Sequence, residues 1–151
     1  MTIFHSMNTT ASGLTAQRLR MDVISSNMAN IDTTRAKNVD GQWEPYRRKM
    51  VVTSPKDQNF ATVFRQALSG KSQAIGSGVK VTSVVEDESP FKLVYNPQHP
   101  DADEQGYVQM PNVDPLKEMA DLISATRSYE ANITVLNSTK NMLIKTLEIG
   151  K

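Results

Sequence analysis

The segment HPDADE, His99–Glu104, sets one imidazole and three carboxylates within six residues. These are hard nitrogen and oxygen donors, and His99, Asp101 and Asp103 could in principle hold a divalent cation. A calcium loop of the EF-hand type needs a glycine and a closing glutamate at fixed later positions, and here both are misplaced. With Pro100 inside it, the segment reads as an Asx-rich turn, and no metal is expected. GKS, Gly70–Ser72, ends like a phosphate-binding loop, but the glycine required five residues before Gly70 is replaced by Arg65. The two histidines, His5 and His99, lie in neither an H-E-x-x-H nor a G-x-S-x-G context, and the chain has no cysteine. Neither nucleophile nor metal chemistry has a foundation, so the reading is of a protein that is not an enzyme and needs no cofactor. The basic run YRRK, Tyr46–Lys49, reads as the solvated edge of a strand. Trp43, close to Pro45, reads as a local packing anchor rather than a ligand platform.

Composition narrows the class further. The chain has 151 residues with a net charge of +1 from 17 basic and 16 acidic side chains. A balance this even makes no electrostatic case for nucleic acid or for an anionic membrane surface. No run of 18 apolar residues occurs, so direct membrane insertion is not expected. The start, MTIFHSMNTTASG, lacks a basic segment followed by a continuous apolar one, so no cleaved secretory signal is expected.

The elements that must carry any function stand out by their helix breakers. All seven prolines lie between Pro45 and Pro115, and no glycine occurs between Gly13 and Gly41 or between Gly106 and Gly150. Two breaker-free ends therefore flank a breaker-rich middle. Both ends carry apolar residues at alternating steps of three and four. In the first, seven of the nine positions 3, 7, 10, 14, 17, 21, 24, 28 and 31 are apolar. In the second, so are seven of the nine positions 119, 122, 126, 129, 133, 136, 140, 143 and 147. That is the spacing of a helix seam. Asp114-Pro115 supplies an N-cap and a first-turn proline. A helix from Pro115 to Glu148 would be about 50 Å long at ~1.5 Å per residue, against about 30 Å for a compact globule of this size. The middle reads as strands at Tyr46–Thr53, Val79–Glu86 and Lys92–Tyr95, a short helix at Phe60–Gly70, and an ordered loop from Asn96 to Pro115.

The expected fold class is α+β and elongated. Long N- and C-terminal helices pair as an antiparallel coiled coil, with a small β-rich central insert. The divisions are residues 1–34 and 114–151 for the discontinuous helical part and 35–113 for the insert.

One motif occurs twice. S-x-x-A-N appears at Ser26–Asn30, where the first helix must soon end, and at Ser128–Asn132, deep inside the second. Small and amide-bearing residues are mediocre helix formers, but they allow close backbone approach and can fix register across a seam. Helices built this way suit a subunit contacted on several sides.

SGLTAQRLRMDVISSNMANIDTTR, PYRRK, VVEDESPFKLVYNPQHPDADEQGYVQMPNVD and EMADLISATRSYEANITVLNSTKNML together resemble the bacterial flagellar basal-body rod proteins over nearly the whole chain. The resemblance implies a structural rod subunit of the cell envelope and periplasmic space, exported through the flagellar type III apparatus without a cleaved signal. It implies helical polymerisation through the terminal helices into a shaft that transmits torque. The implied partners are copies of the same chain, rod proteins of the FlgB, FlgF and FlgG types, and the export-gate or adaptor proteins of the basal body. By match to the family signature, Ser26, Asn27, Ala29, Asn30 and Thr33 belong to the assembly interface, as do Arg127, Tyr129, Glu130 and Asn132. The helical stripe adds Met119, Leu122, Ile133, Leu136 and Leu143. A cytosolic helical-hairpin adaptor that does not polymerise is the alternative from the same stripes.

Overall fold

The computed structural model describes residues 3–39, 41–56 and 78–149. Two long helices bracket the chain: α1, Ile3–Ala29, and α2, Pro115–Ile149. Between them come β1 (Lys37–Val39), β2 (Gln42–Glu44), β3 (Lys49–Pro55), β4 (Val79–Glu86), β5 (Lys92–Tyr95) and β6 (Tyr107–Met110). The class is α+β, and among the described residues the strands pair as β1–β2, β3–β4 and β5–β6. The predicted helix at Phe60–Gly70 and the GKS segment fall outside the described residues.

The start of α2 follows from its sequence. Asp114 Oδ1 accepts the Leu116 N–H at 3.0 Å, and its carbonyl accepts the Glu118 N–H at 3.0 Å. These bonds satisfy two of the donors that a helix start leaves free.

The chain divides into two compact units. The first comprises Met1–Leu19, Val52–Ser83 and Thr126–Lys151, and the second Arg20–Val51 and Val84–Ala125. Both helices and the β3–β4 pair contribute to each. In the first unit, Gly13 of α1 faces the Asn132 side chain of α2, whose Nδ2 would lie 3.5 Å from a Cβ at that glycine. Ser12 Oγ donates to the Thr9 carbonyl at 2.7 Å and accepts the Val79 N–H at 3.0 Å, which docks the start of β4 on α1. Gly78 stands before it at φ +80°, where a Cβ would come within 2.5 Å of Ser12 Oγ; positive φ and close approach both require glycine there. In the second unit the helices run antiparallel, with Arg20 against Asp121 and Asn27 against Glu118.

Two expectations for the middle change, and one hairpin is added. The strand predicted from Tyr46 begins at Lys49, because earlier backbone groups bond elsewhere. The Tyr46 N–H donates to the Thr33 carbonyl at 3.0 Å, and the Arg48 N–H to Asn112 Oδ1 at 2.8 Å. The loop predicted over Asn96–Pro115 contains β6, paired in register from Tyr95↔Tyr107 to Lys92↔Met110. Its four residues are hidden in the sequence among turn formers. The β1–β2 hairpin is too short and too polar to announce itself, and its turn closes on Gly41 at φ +86°.

The covered face of α2 also differs from the predicted stripe. Glu118, Leu122, Ala125, Tyr129, Asn132, Leu136, Thr139 and Leu143 form one continuous half-buried to buried row. The stripe residues Leu122, Tyr129, Leu136 and Leu143 belong to it. Met119, Ile133, Lys140 and Leu147 are exposed on the adjacent row. The covered row alternates apolar residues with small or polar ones, so apolar spacing alone locates only half of it.

Candidate functional site

The region that organises the second unit is a buried polar node. Asn27, in the last turn of α1, is 1% exposed, and Glu118, in the first turn of α2, is 0% exposed. Asn27 uses its whole side-chain amide. Nδ2 donates to the Lys49 carbonyl at 2.9 Å and to Glu118 Oε2 at 3.1 Å. Oδ1 accepts from the Lys49 N–H at 2.9 Å and from the Tyr46 hydroxyl at 3.0 Å. The other Glu118 oxygen accepts from Arg48 Nε at 2.6 Å. Arg48 also reaches Asp121 at 3.5 Å and Asp87 at 3.7 Å. A buried carboxylate is tolerable only with such compensation.

Asn112 completes the frame. Its Oδ1 accepts the Arg48 N–H, and its Nδ2 donates to the carbonyls of Asp87 at 3.1 Å and Ser89 at 3.2 Å. The expected solvated edge at YRRK is therefore corrected. Tyr46 and Arg48 are buried, Arg47 lies 4.3 Å from the Phe91 ring centroid, and Lys49 lies over the Tyr46 ring. Trp43 departs from its expected role as well: it is 56% exposed and anchors no core.

The recurring motif makes one local bond in both places. Asn30 Nδ2 donates to the Ser26 carbonyl at 2.8 Å, and Asn132 Nδ2 to the Ser128 carbonyl at 2.9 Å. At the end of α1, Asn30 Oδ1 also accepts from the Thr33 hydroxyl at 3.2 Å, which fixes the exit of the chain. Ser26 Oγ lies 3.5 Å from the Tyr46 hydroxyl, while Ala29 is exposed. On α2, Arg127, Glu130, Met119 and Ile133 face solvent, whereas Leu122, Tyr129, Asn132, Leu136 and Leu143 are half-buried.

Glu118 and Arg48 are the residues that sequence reasoning missed at the node. A glutamate in the first turn of a helix reads as a complement to the helix dipole, and its burial has no signal in the sequence.

HPDADE is used within the chain. Asp101 Oδ1 accepts from Arg35 Nε at 2.6 Å and Oδ2 from the Thr34 hydroxyl at 2.7 Å. The Asp101 N–H donates to His99 Nδ1 at 3.1 Å. Asp103 Oδ1 accepts the N–H groups of Gln105 and Tyr107 at 3.0 and 2.8 Å. The bonds from Arg35 and Thr34 hold the Asp101 carboxyl below its ordinary value of 3.8, and those from the Ser89 hydroxyl and N–H do the same for Asp87. A depressed carboxyl stabilises the fold above its unfolded value, and that stability is lost as pH falls through the folded value. The stability these two carboxyls contribute should therefore be lost as the pH falls below about 3.8. Asp101→Asn should flatten the stability profile there and leave it unchanged near neutrality in slope, as followed by circular dichroism.

Two long helices, with a polar node joining the end of one to the start of the other, are the frame of this unit. Residues 7–37 match the family model of the flagella basal body rod protein, and residues 104–149 that of the flagellar basal body rod FlgEFG protein C-terminal. The chain is 62% identical over its full length, and that of the relative, to a flagellar basal-body rod protein FlgC of Bacillus subtilis. It is 46% identical to the FlgC of Borreliella burgdorferi, covering 99% of this chain and 98% of the relative, and 45% identical to that of Salmonella typhimurium over the whole of both. The chain belongs to the flagellar basal-body rod protein family, and within it is most like the FlgC type. It is a structural rod subunit of the flagellar basal body, which sets aside the adaptor alternative. No helix among the described residues is long and apolar enough to cross a membrane.

Proposed function

We propose that the chain polymerises helically through α1 and α2 to build the proximal part of the rod, the shaft that transmits torque across the periplasmic space. The observation that carries this reading is a bare apolar row on α2. Leu116, Met119, Ile123, Ile133, Ile144 and Leu147 fall on one three-four row, interrupted by Thr126, Glu130, Asn137 and Lys140, and all six are exposed, Leu147 at 74%. At 3.6 residues per turn this row lies about 110° around the axis from the covered row. A helix with two apolar faces has one too many for its own chain, and exposed apolar rows of this kind mark association surfaces.

In this reading α1 and α2 form an antiparallel coiled coil whose second face meets other subunits. These are copies of the chain and rod proteins of the FlgB, FlgF and FlgG types, with the export-gate or adaptor proteins at the base. The signature residues Ser26, Asn27, Ala29, Asn30, Thr33, Arg127, Tyr129, Glu130 and Asn132 shape that assembly. Asn27 acts from inside by holding α1 against α2, and Met119 and Ile133 act directly from the bare row. Leu122, Leu136 and Leu143 act through the intrachain seam. The subunit reaches its place by type III export, and its task is structural.

The test separates folding from assembly. Ile144→Asp combined with Leu147→Asp should leave the thermal unfolding of the isolated chain within about 0.5 kcal/mol of the parent. The same variant should abolish swimming and the recovery of basal bodies. Lys145→Ser, which removes only the exposed pair with Glu148, should swim normally. Intact rods built from the double variant would refute assembly through this row.

A further inference from the structure

The second unit also holds an open cleft of about 760 Å³, and its chemistry is not that of a helix interface. Trp43 of β2 and Tyr107 of β6 line it, together with the amides of Gln42 and Gln109 and the carboxylates of Glu44 and Asp103. Its size falls within the roughly 300–1,000 Å³ usual for ligand sites. Trp43 is more than half exposed, although an indole is among the most costly side chains to leave in water. Among the described residues, none hydrogen-bonds to the side chains of Gln42, Trp43, Glu44 or Gln109.

We infer that this cleft binds a neutral oligosaccharide. The inference rests on what each alternative would leave unmatched. A cation would meet the Arg35 guanidinium, which also lines the cleft and is fixed there by Asp101, itself held by the Thr34 hydroxyl. An anion would meet Glu44 and Asp103. A wholly apolar ligand would desolvate two amides and two carboxylates with no return bond. A sugar ring instead offers a C–H face that packs on an aromatic ring, and hydroxyls that donate to carboxylates and both donate to and accept from amides. Part of the wall is already ordered. Asp103 is held through Oδ1 by two backbone N–H groups, Tyr107 packs edge-to-face on Tyr95 at 5.3 Å, and Arg35 is tied to Asp101. Less ordering entropy is then lost on binding.

Trp43 is the chain's one tryptophan, so its fluorescence reports on this cleft alone. The purified full chain would be titrated with cellohexaose, chitohexaose and maltohexaose, with calorimetry in parallel. The expected result is a saturable shift in emission and measurable heat with at least one of the three. Gln109→Ala and Glu44→Ala, which keep the fluorophore, should each weaken binding by roughly five- to tenfold, the cost of one lost hydrogen bond. Met142→Ala, in the other unit, should bind as the parent does. Far-UV circular dichroism of each variant establishes that it is folded, and Trp43→Phe, read by calorimetry, keeps a flat aromatic face for a variant that must still bind. No response to any of the three sugars at millimolar concentration would overturn the inference. So would binding that Gln109→Ala and Glu44→Ala leave unchanged, as would a cleft that is filled in the assembled rod by a protein segment and takes no sugar.

Discussion

Arg48→Met should destabilise the chain by about 3–5 kcal/mol, because it leaves the Glu118 carboxylate buried without its cation. Glu118 is fully buried and takes its shortest hydrogen bond, 2.6 Å, from Arg48. Methionine fills a similar volume without charge, so the loss reports the orphaned carboxylate rather than a cavity. The paired change, Arg48→Met with Glu118→Met, should recover most of the stability, since a well-packed apolar pair often equals or exceeds a buried ion pair. Urea unfolding of the four proteins in the cycle measures this directly. If the single Arg48 variant lost under about 1 kcal/mol, the pair would behave as an exposed one, and the node would have no claim to organise the unit.

Asn27→Ala is the second large effect, at about 2–4 kcal/mol. It removes two donations and two acceptances at once and strands the Lys49 N–H, the Lys49 carbonyl, the Tyr46 hydroxyl and one Glu118 oxygen. Ser26→Ala, one residue away in the same motif, gives up only a 3.5 Å approach to the Tyr46 hydroxyl and should cost about 0.5 kcal/mol or less. Thermal unfolding of both variants provides the comparison. Equal losses would mean that the motif acts through helix propensity rather than through the amide of Asn27.

The helices were legible because their evidence is repeated many times over. Breakers are absent from both ends, and Asp114-Pro115 marks a start that the Leu116 N–H bond realises. β4 and β5 were legible as runs of β-branched and aromatic residues, and both coincide with their predicted bounds. What stayed hidden has a common cause. The seam of α2 runs through Glu118, Ala125, Asn132 and Thr139 as much as through its leucines, and small or polar seam residues carry no hydrophobic period. Arg48 sits in a basic run, and only tertiary contacts with Glu118, Asp87 and Asp121 distinguish it from solvated neighbours. The repeated S-x-x-A-N motif was visible as a repeat, but its physical content, an asparagine bonded to the carbonyl four residues back, needed coordinates. Trp43 illustrates the opposite error. A lone tryptophan near a proline reads as a local packing anchor, yet a hairpin of two three-residue strands has no core to bury it in.

The bare row on α2 makes part of this fold a function of amount rather than of sequence alone. Folding in a chain like this is linked to mass action: a partner that binds only the helical state adds RT ln(1 + [L]/Kd) to its stability, about 2.7 kcal/mol at a hundredfold excess over Kd. Dilute subunits must hold the last turns of α2 with Met142, Ile144, Leu147 and Ile149 in water, where an unpartnered helix end frays. Under the proposed assembly through this row, each added neighbour would both extend the polymer and complete the folding of the subunit before it. Growth of this kind would have a threshold concentration, above which the helix ends lock, so that elongation and final folding would become one cooperative event.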